Sequence, residues 1–428
     1  MLFNQTLTYI SLFSGAGVGC YGLLEEGFEC VATNEILEKR LNIQRINRKC
    51  KLDESYISGD IKKPETKEKI LKQIGFYSKK FGNDRVDLVV ATPPCQGMSV
   101  ANHKKKNDEI KRNSLVIESV DLIKQIKPRF FILENVPSFY KTGCIDKNDN
   151  LLEIGSMIEQ NLSGDYTLYD EVINFKNFGA NSSRTRTLVI GVCKEFKDFI
   201  STLEFFPDFK QEKTLKEVIG SLKPLTWGEY DSADFYHSFR TYPKHMQEWI
   251  KDLKEGQSAF ENVQDAISDL AYLCSNEGAF ESDYLNPIQS SYQALMRKNS
   301  PKLYNHQATN HSQAALEKLK LINKEQGKEC LPKNLHGKQQ FKSTWGRLNW
   351  NKISPTIDTR FDTPSNGTNS HPKLHRSITP REAARIQSFS DNYIFYGNKT
   401  SVCKQIGNAV PPLLALALGK AILKNLRK

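Results

Sequence analysis

Short apolar runs recur along roughly the first 190 residues, separated by stretches with helical spacing, and this alternation predicts a mostly parallel sheet covered by helices. Leu7 to Phe13 reads as a strand that breaks at Ser14-Gly15-Ala16-Gly17-Val18-Gly19 and passes into a helix ending at Gly27. Cys30 to Thr33 reads as a second strand, closed by Asn34-Glu35. Leu88 to Ala91, Phe130 to Leu133 and Thr187 to Val192 read as further buried strands. The first two of these end in polar or proline-rich segments, Thr92-Pro93-Pro94 and Glu134-Asn135. Ligands in open α/β sheets sit beyond the carboxyl ends of the strands, so these segments are where chemistry is expected.

After Lys194 the alternation stops, and residues 195–376 are more polar and irregular. Thr379-Pro380-Arg381-Glu382 then opens a helix, with Thr at the N-cap, Pro in the first turn and Glu at the third position. An apolar helix is expected from Leu413 to Leu423. The predicted organisation is one domain from 1–194 with 377–428, and a second from 195–376.

Composition narrows the class. With 39% hydrophobic residues and 25 glycines, the chain can bury a full core. No apolar run reaches the ~20 residues of a membrane span, and Met1 to Tyr9 lacks the pattern of a signal peptide. An intracellular, cytoplasmic protein is expected. The nine cysteines are scattered without a Cys-x-x-Cys pair; Cys20, Cys30, Cys144, Cys193, Cys274 and Cys403 read as small buried residues. His306 and His311 are spaced poorly for one helical face, so no metal site is expected. The net charge of +11 is unevenly spread: 302–376 holds 13 Lys/Arg against 5 Asp/Glu, whereas 227–300 holds 6 against 12. The later segment therefore suits a polyanion.

The glycine-rich turn suits a ligand approached by backbone N–H groups, but Gly15-x-Gly17-x-Gly19 is wrongly spaced for the dinucleotide fingerprint, which argues against an oxidoreductase. Glu35 can take ribose hydroxyls or be a solvated loop carboxylate, and Asp60 can accept from an adenine amino group. Pro93 and Pro94 stiffen the backbone before Cys95, a rigid mount for a nucleophile; a structural cysteine is the alternative. Thiol addition at C6 of a pyrimidine activates C5 but builds negative charge on N3 and O2. Glu134, as an acid of raised pKa, suits N3, and Arg184 with Arg186 suits O2 and a lowered Cys95 pKa.

Taken in order, these blocks resemble the bacterial DNA (cytosine-5) methyltransferases: Phe13-Ser14-Gly15-Ala16-Gly17, Asn34-Glu35, Gly59-Asp60-Ile61, Pro93-Pro94-Cys95-Gln96, Glu134-Asn135-Val136, Arg184-Thr185-Arg186, Arg381 to Gln387, and Gln405 to Pro411. The resemblance implies a class I S-adenosylmethionine-dependent fold, Rossmann-like and mostly parallel with helices on both faces, plus a smaller irregular target-recognition domain. It implies Cys95, Glu134, Arg184 and Arg186 as catalytic residues. It implies S-adenosylmethionine held by Phe13, Gly15, Gly17, Glu35, Ile36, Asp60, Ile61, Pro94, Asn408 and Val410. Double-stranded DNA would meet Gln96, Ser99, Lys104 and Arg112 on a loop after the nucleophile. Arg347 and Arg360 are candidates for reading base edges.

The implied reaction methylates C5 of a flipped-out cytosine, by a monomer serving as the modification half of a restriction–modification system, bacterial or phage-encoded and paired with a restriction endonuclease. An RNA cytosine-5 methyltransferase and a catalytically idle DNA-binding regulator are the alternatives. Two departures stand out. Ser182 occupies the place of a glutamine usual in the family, and Val18 stands where glycine is common.

Overall fold

The structure is a computed structural model that describes residues 6–82, 85–94, 113–199, 205–206, 213–222, 281–282, 296–297, 300, 302–309, 311–322, 327–335 and 343–426. The chain forms two compact units, 1–212 with 409–428, and 213–408.

The first unit is built on a seven-stranded sheet. Its strands and helices run β1 (Thr8–Leu12), α1 (Tyr21–Glu25), β2 (Glu29–Glu35), α2 (Glu38–Ile46), β3 (Tyr56–Ser58), α3 (Pro64–Phe81), β4 (Leu88–Ala91), α4 (Leu115–Ile126) and β5 (Phe130–Asn135). A small hairpin of β6 (Gly143–Ile145) and β7 (Leu151–Glu153) follows, then α5 (Ile154–Leu162), β8 (Tyr166–Asn174) and β9 (Thr185–Cys193). The strand order is β3-β2-β1-β4-β5-β9-β8. The first five strands pair in parallel, and β9 joins both β5 and β8 antiparallel. The expected strands are all present, and β3 and β8 are additions. The polar centre of β8, Asp170-Glu171, and its exposed Val172 hide it from an apolar-run reading.

Alternation along the strands feeds two cores. Ile10, Leu12, Phe131 and Leu133 point to one face, where Ile70 of α3, Val116 and Val120 of α4, and Ile158 of α5 pack. Tyr9, Phe130 and Ile132 point to the other, against Leu23 of α1 and the final helix. Two close approaches fix these layers. A Cβ on Gly22 would lie 2.1 Å from the Pro412 carbonyl oxygen, and one on Gly191 would lie 1.9 Å from the Phe131 ring.

In the second unit lie α6 (Leu215–Ile219), α7 (Gln313–Leu321), α8 (Pro380–Ile386) and α9 (Lys399–Gly407); α10 (Pro412–Leu426) returns to the first. The boundaries thus fall later than the 194/195 and 376/377 divisions expected from the sequence. Buried guanidinium groups give the reason. Arg376 pairs bidentately with Glu382 at 2.8 Å, and Arg385 pairs with Asp391 at 3.0 and 2.5 Å. Arg381 donates to the carbonyls of Tyr304, Ser390 and Tyr393. All three arginines are fully buried, so 376–395 is tied into the second unit. The capping box at Thr379 and Glu382 is as the sequence predicts.

One sequence reading needs correcting. Cys193 is only half-buried, and its Sγ accepts from Arg85 at 3.3 Å; Cys274 lies outside the described residues. By length and hydropathy, Lys399–Lys424 passes as a membrane span. Its helix is interrupted between Gly407 and Pro412, however, and Leu414, Leu418 and Ile422 are buried in the first unit's core.

Gly22→Ala should destabilise the first unit by about 1–3 kcal/mol, because the added methyl has nowhere to go. Gly75→Ala, inside α3 with no atom near its missing Cβ, should stabilise it by about 0.5–1 kcal/mol. Denaturant titration followed by far-ultraviolet circular dichroism reads both; equal effects of the same sign would contradict this packing.

In the second unit, burial pushes the Glu382 carboxyl up, but the Arg376 guanidinium outweighs that and holds it at about 2. A depressed folded-state pKa stabilises fully above the unfolded value of about 4.3 and is lost as pH falls towards the folded one. Urea unfolding midpoints should therefore fall between pH 5 and pH 3. Arg376→Met should cost roughly 3–5 kcal/mol at pH 7, since it strands a buried carboxylate. All four tryptophans lie between 213 and 408, so tryptophan fluorescence reports on this unit.

Candidate active site

Because β1 to β5 are parallel, their carboxyl ends share one edge of the sheet. Strand β9 runs the other way, so its beginning reaches that same edge. The register makes this concrete: Glu134 lies opposite Leu188 and Asn135 opposite Thr187, which puts Arg184 and Arg186 just past the end of β5. The Arg186 Nε lies 3.2 Å from the Glu134 carboxylate. Arg184 and Glu134 are both buried. Burial raises the Glu134 pKa, and Arg186 and then Arg184 oppose the rise; the rise wins. A carboxyl group biased toward its protonated form thus sits among cationic donors.

Asn135 ties two strand ends together. Its Nδ2 donates to the Pro93 carbonyl at 2.9 Å, and its Oδ1 accepts from the Val136 N–H at 2.9 Å. The chain is thereby pinned two residues before position 95. On the other side of β4, Thr92 Oγ1 donates to the Phe13 carbonyl at 3.2 Å. Cys95, Gln96, Ser99, Lys104 and Arg112 lie outside the described residues. Ser182, in the place of the family's usual glutamine, is fully buried.

At the end of β1 the chain turns through positive φ at Phe13 (53°), Gly15 (55°) and Gly17 (85°). Glu35 is buried at the end of β2, where one carboxylate oxygen accepts from the Gly15 N–H at 2.9 Å and the other from the Leu37 N–H at 3.2 Å. Arg40 Nη1 lies 3.6 Å from it. Glu35 is therefore no solvated loop carboxylate. Ile36 and Leu37 beside it are exposed, an apolar surface next to an acid. Asp60, half-buried, accepts from the Lys62 N–H at 3.0 Å. Ile61 instead packs into the core. Gly19 meets Val410, whose Cβ would be 3.1 Å from an added methyl. Pro94 is half-buried, and Asn408 is exposed at the end of α9.

The turn fits a nucleoside cofactor in two respects. Among the described residues, nothing lies within 4 Å of the missing Gly15 Cβ, which leaves space for a ligand beside the turn. The acid and the exposed Ile36 are the acceptor and apolar groups that ribose hydroxyls and a base require.

One expected residue must be withdrawn. Arg347 is buried, and its guanidinium donates to the carbonyls of Ile322 at 3.1 Å, His371 at 2.6 Å, Leu374 at 2.7 Å and Leu319. It supports the second unit, and with four of its five N–H donors held by backbone carbonyls it cannot make a bidentate contact to a base edge. Arg360, by contrast, is more than half exposed, beside Asp362 at 3.4 Å. The sequence reading gave no role to Asn135, Thr92 or Gln44. The spacing of Gln44 from Leu41 is the available signal: a polar residue three positions along falls on the apolar face of α2.

Comparison with known proteins agrees with this geometry. The model of C-5 cytosine-specific DNA methylase matches residues 7–424. The type II methyltransferase M.DdeI of Desulfomicrobium norvegicum is 30% identical over 357 residues, 79% of this chain and 72% of that protein. The type II methyltransferase M1.HphI of Haemophilus parahaemolyticus is 26% identical over 99% of this chain and 88% of its own length. Among solved structures, a DNA modification methyltransferase encoded within an E. coli prophage superposes with a TM-score of 0.62 at 24% identity. That match covers 99% of this chain and 100% of the other, and supports the fold. The sheet, its polar edge and a family match across nearly the whole chain lead to one conclusion: this protein belongs to the C-5 cytosine-specific DNA methylase family and is a DNA (cytosine-5) methyltransferase.

Proposed function

We propose that the enzyme methylates C5 of a cytosine everted from duplex DNA through a covalent adduct of Cys95 with C6, as the cytoplasmic modification half of a restriction–modification system. The observation that carries the reading is the pair of contacts at the end of β5. Arg186 meets Glu134, and Asn135 grips the Pro93 carbonyl, so the segment entering Cys95 starts beside the acid. Cys95 as thiolate adds to C6, forming the S–C bond, while Glu134 gives its proton to N3. Arg184 and Arg186 stabilise charge at O2. C5, now enamine-like, accepts the methyl group. A base then takes the C5 proton, the S–C6 bond breaks to return the thiolate, and N3 gives its proton back to Glu134.

S-adenosylmethionine, when bound, supplies an electrophilic methyl group. Phe13, Gly15, Gly17, Glu35, Ile36, Asp60, Pro94, Asn408 and Val410 would hold it, with Glu35 on the ribose and Ile36 against the base. Gln96, Ser99, Lys104 and Arg112 would close over the DNA after the base leaves the stack, which costs roughly a few kcal/mol. Arg360, exposed in a segment rich in positive charge, is the remaining candidate for contacting a base or a phosphate. The protein works as a monomer beside a restriction endonuclease.

Cys95→Ala should abolish methyl transfer while S-adenosylmethionine still binds; transfer at the wild-type rate would overturn the assignment. Glu134→Gln should lower turnover by about 10²–10⁴-fold. In the wild type, the rate should decline as pH rises through the elevated Glu134 pKa, since the acid must be protonated to donate. Rates are measured on DNA beside tRNA, and a preference for tRNA would favour an RNA-modifying activity. Bisulfite sequencing of a host expressing the chain should give 5-methylcytosine in one fixed context; no modified cytosine would contradict the reading.

A further inference from the structure

The turn after β1 is an unfavourable piece of backbone. Phe13 holds φ 53°, a left-handed conformation that is unfavourable for a non-glycine residue and persists only where its surroundings over-determine it. Part of that support is the turn's own wiring. Ser14 donates to the Asn34 carbonyl through both its backbone N–H and its hydroxyl, each at 3.0 Å, and the Gly17 N–H returns to the Ser14 carbonyl at 2.8 Å.

The rest comes from underneath. Gln44, fully buried on α2, donates from Nε2 to the Ser14 hydroxyl at 2.8 Å and to the Gly15 carbonyl at 2.7 Å. A carbonyl only accepts, so the amide can face the turn only with its nitrogen. Its oxygen then faces Thr33, whose hydroxyl donates to it at 2.8 Å. The Thr33 hydroxyl in turn accepts from Lys49 Nζ at 3.0 Å, and Lys49 is itself buried. Donors in this chain all point the same way, from Lys49 through Thr33 and Gln44 to the Gly15 carbonyl, an arrangement in which each bond strengthens the next. Contact is also steric. A Cβ on Gly17 would lie 2.5 Å from Gln44 Cγ and 2.9 Å from its Cδ, so the turn rests directly on the amide.

We propose that Gln44 is a positioning residue for the cofactor turn, holding the Gly15–Ala16 peptide and the Ser14 hydroxyl in their binding geometry through a buried relay that begins at Lys49. The inference rests on the reading that this turn and Glu35 hold S-adenosylmethionine. Gln44 faces the back of the turn and touches no reacting group. Its contribution is preorganisation, which enters affinity.

The test is calorimetric binding of S-adenosylmethionine to the full-length protein, with steady-state kinetics on DNA and thermal melting alongside. Gln44→Met keeps the side chain's length and removes its donors. It should raise the cofactor Kd and KM by about 10-fold or more, with kcat at saturating cofactor within about two-fold and the KM for DNA unchanged. Gln44→Glu keeps the acceptor for Thr33 but sets a carboxylate against the Gly15 carbonyl, and should weaken binding further. A folded Gln44→Met protein that binds the cofactor within about two-fold of wild type overturns the proposal. So does a fall in kcat with KM unchanged.

If Gln44→Met fails to fold, Thr33→Val decides. It leaves the donors of Gln44 in place but unties its oxygen, and should weaken binding by about three-fold or more; unchanged affinity overturns the relay. Glu35→Ala separates the two levels of the argument. Weakened binding in Glu35→Ala with wild-type binding in Gln44→Met sinks the positioning role alone. Wild-type binding in both sinks the assignment of the cofactor site.

Discussion

The antiparallel pairing of β5 with β9 is the constraint on which the candidate site depends. A parallel β9 would begin at the far edge of the sheet and carry Arg184 and Arg186 away from Glu134. The observed register sets Asn135 opposite Thr187. An acid buried at a strand end therefore meets a cation that starts the neighbouring strand. The same pairing fixes the end of β5, from which Asn135 reaches across to the Pro93 carbonyl. One set of backbone hydrogen bonds thus aligns the acid, the arginines and the approach to the nucleophile loop.

At the carboxyl end of β1, in the middle of the parallel set, the proposed cofactor turn is held by its neighbours. The positive φ of Phe13, in a turn that also passes through Gly15 and Gly17, is offset by hydrogen bonds to the Asn34 carbonyl and Glu35 carboxylate and from the Gln44 and Thr92 side chains. These partners come from the end of β2, from α2 and from the residue after β4. The turn is consequently a readout of whether the sheet is correctly assembled, which ties binding competence to folding.

Much of this was legible in the sequence because apolar runs and turn chemistry are local signals. The Val89-Val90 and Phe130 to Leu133 runs announced buried strands, and Thr379-Pro380 announced a capped helix. Strand β8 was not legible, since an edge strand with one solvated face carries Asp170 and Glu171 in its middle. Arg347 was misjudged for a related reason. An arginine in a basic segment looks like a DNA contact, and only tertiary structure reveals four backbone carbonyls gathered around its guanidinium. The later domain boundary was hidden in the same way, because the burial of Arg376, Arg381 and Arg385 has no signature in a charge count. Among the candidate site residues, motif order singled out Glu134 and Glu35. Gln44 and Asn135 act through neighbours brought together by the fold, and spacing alone does not identify such partners.

The central claim is that Cys95 and Glu134 act on one pyrimidine ring. Duplex DNA carrying 5-fluorocytosine at the target position blocks the final loss of the C5 substituent, so a covalent intermediate should accumulate in the presence of S-adenosylmethionine. Peptide mapping of that complex by mass spectrometry is the direct measurement. The account predicts the nucleotide attached through the Cys95 sulfur. Attachment through any other side chain, or no adduct from an enzyme that methylates the unfluorinated duplex, would contradict it.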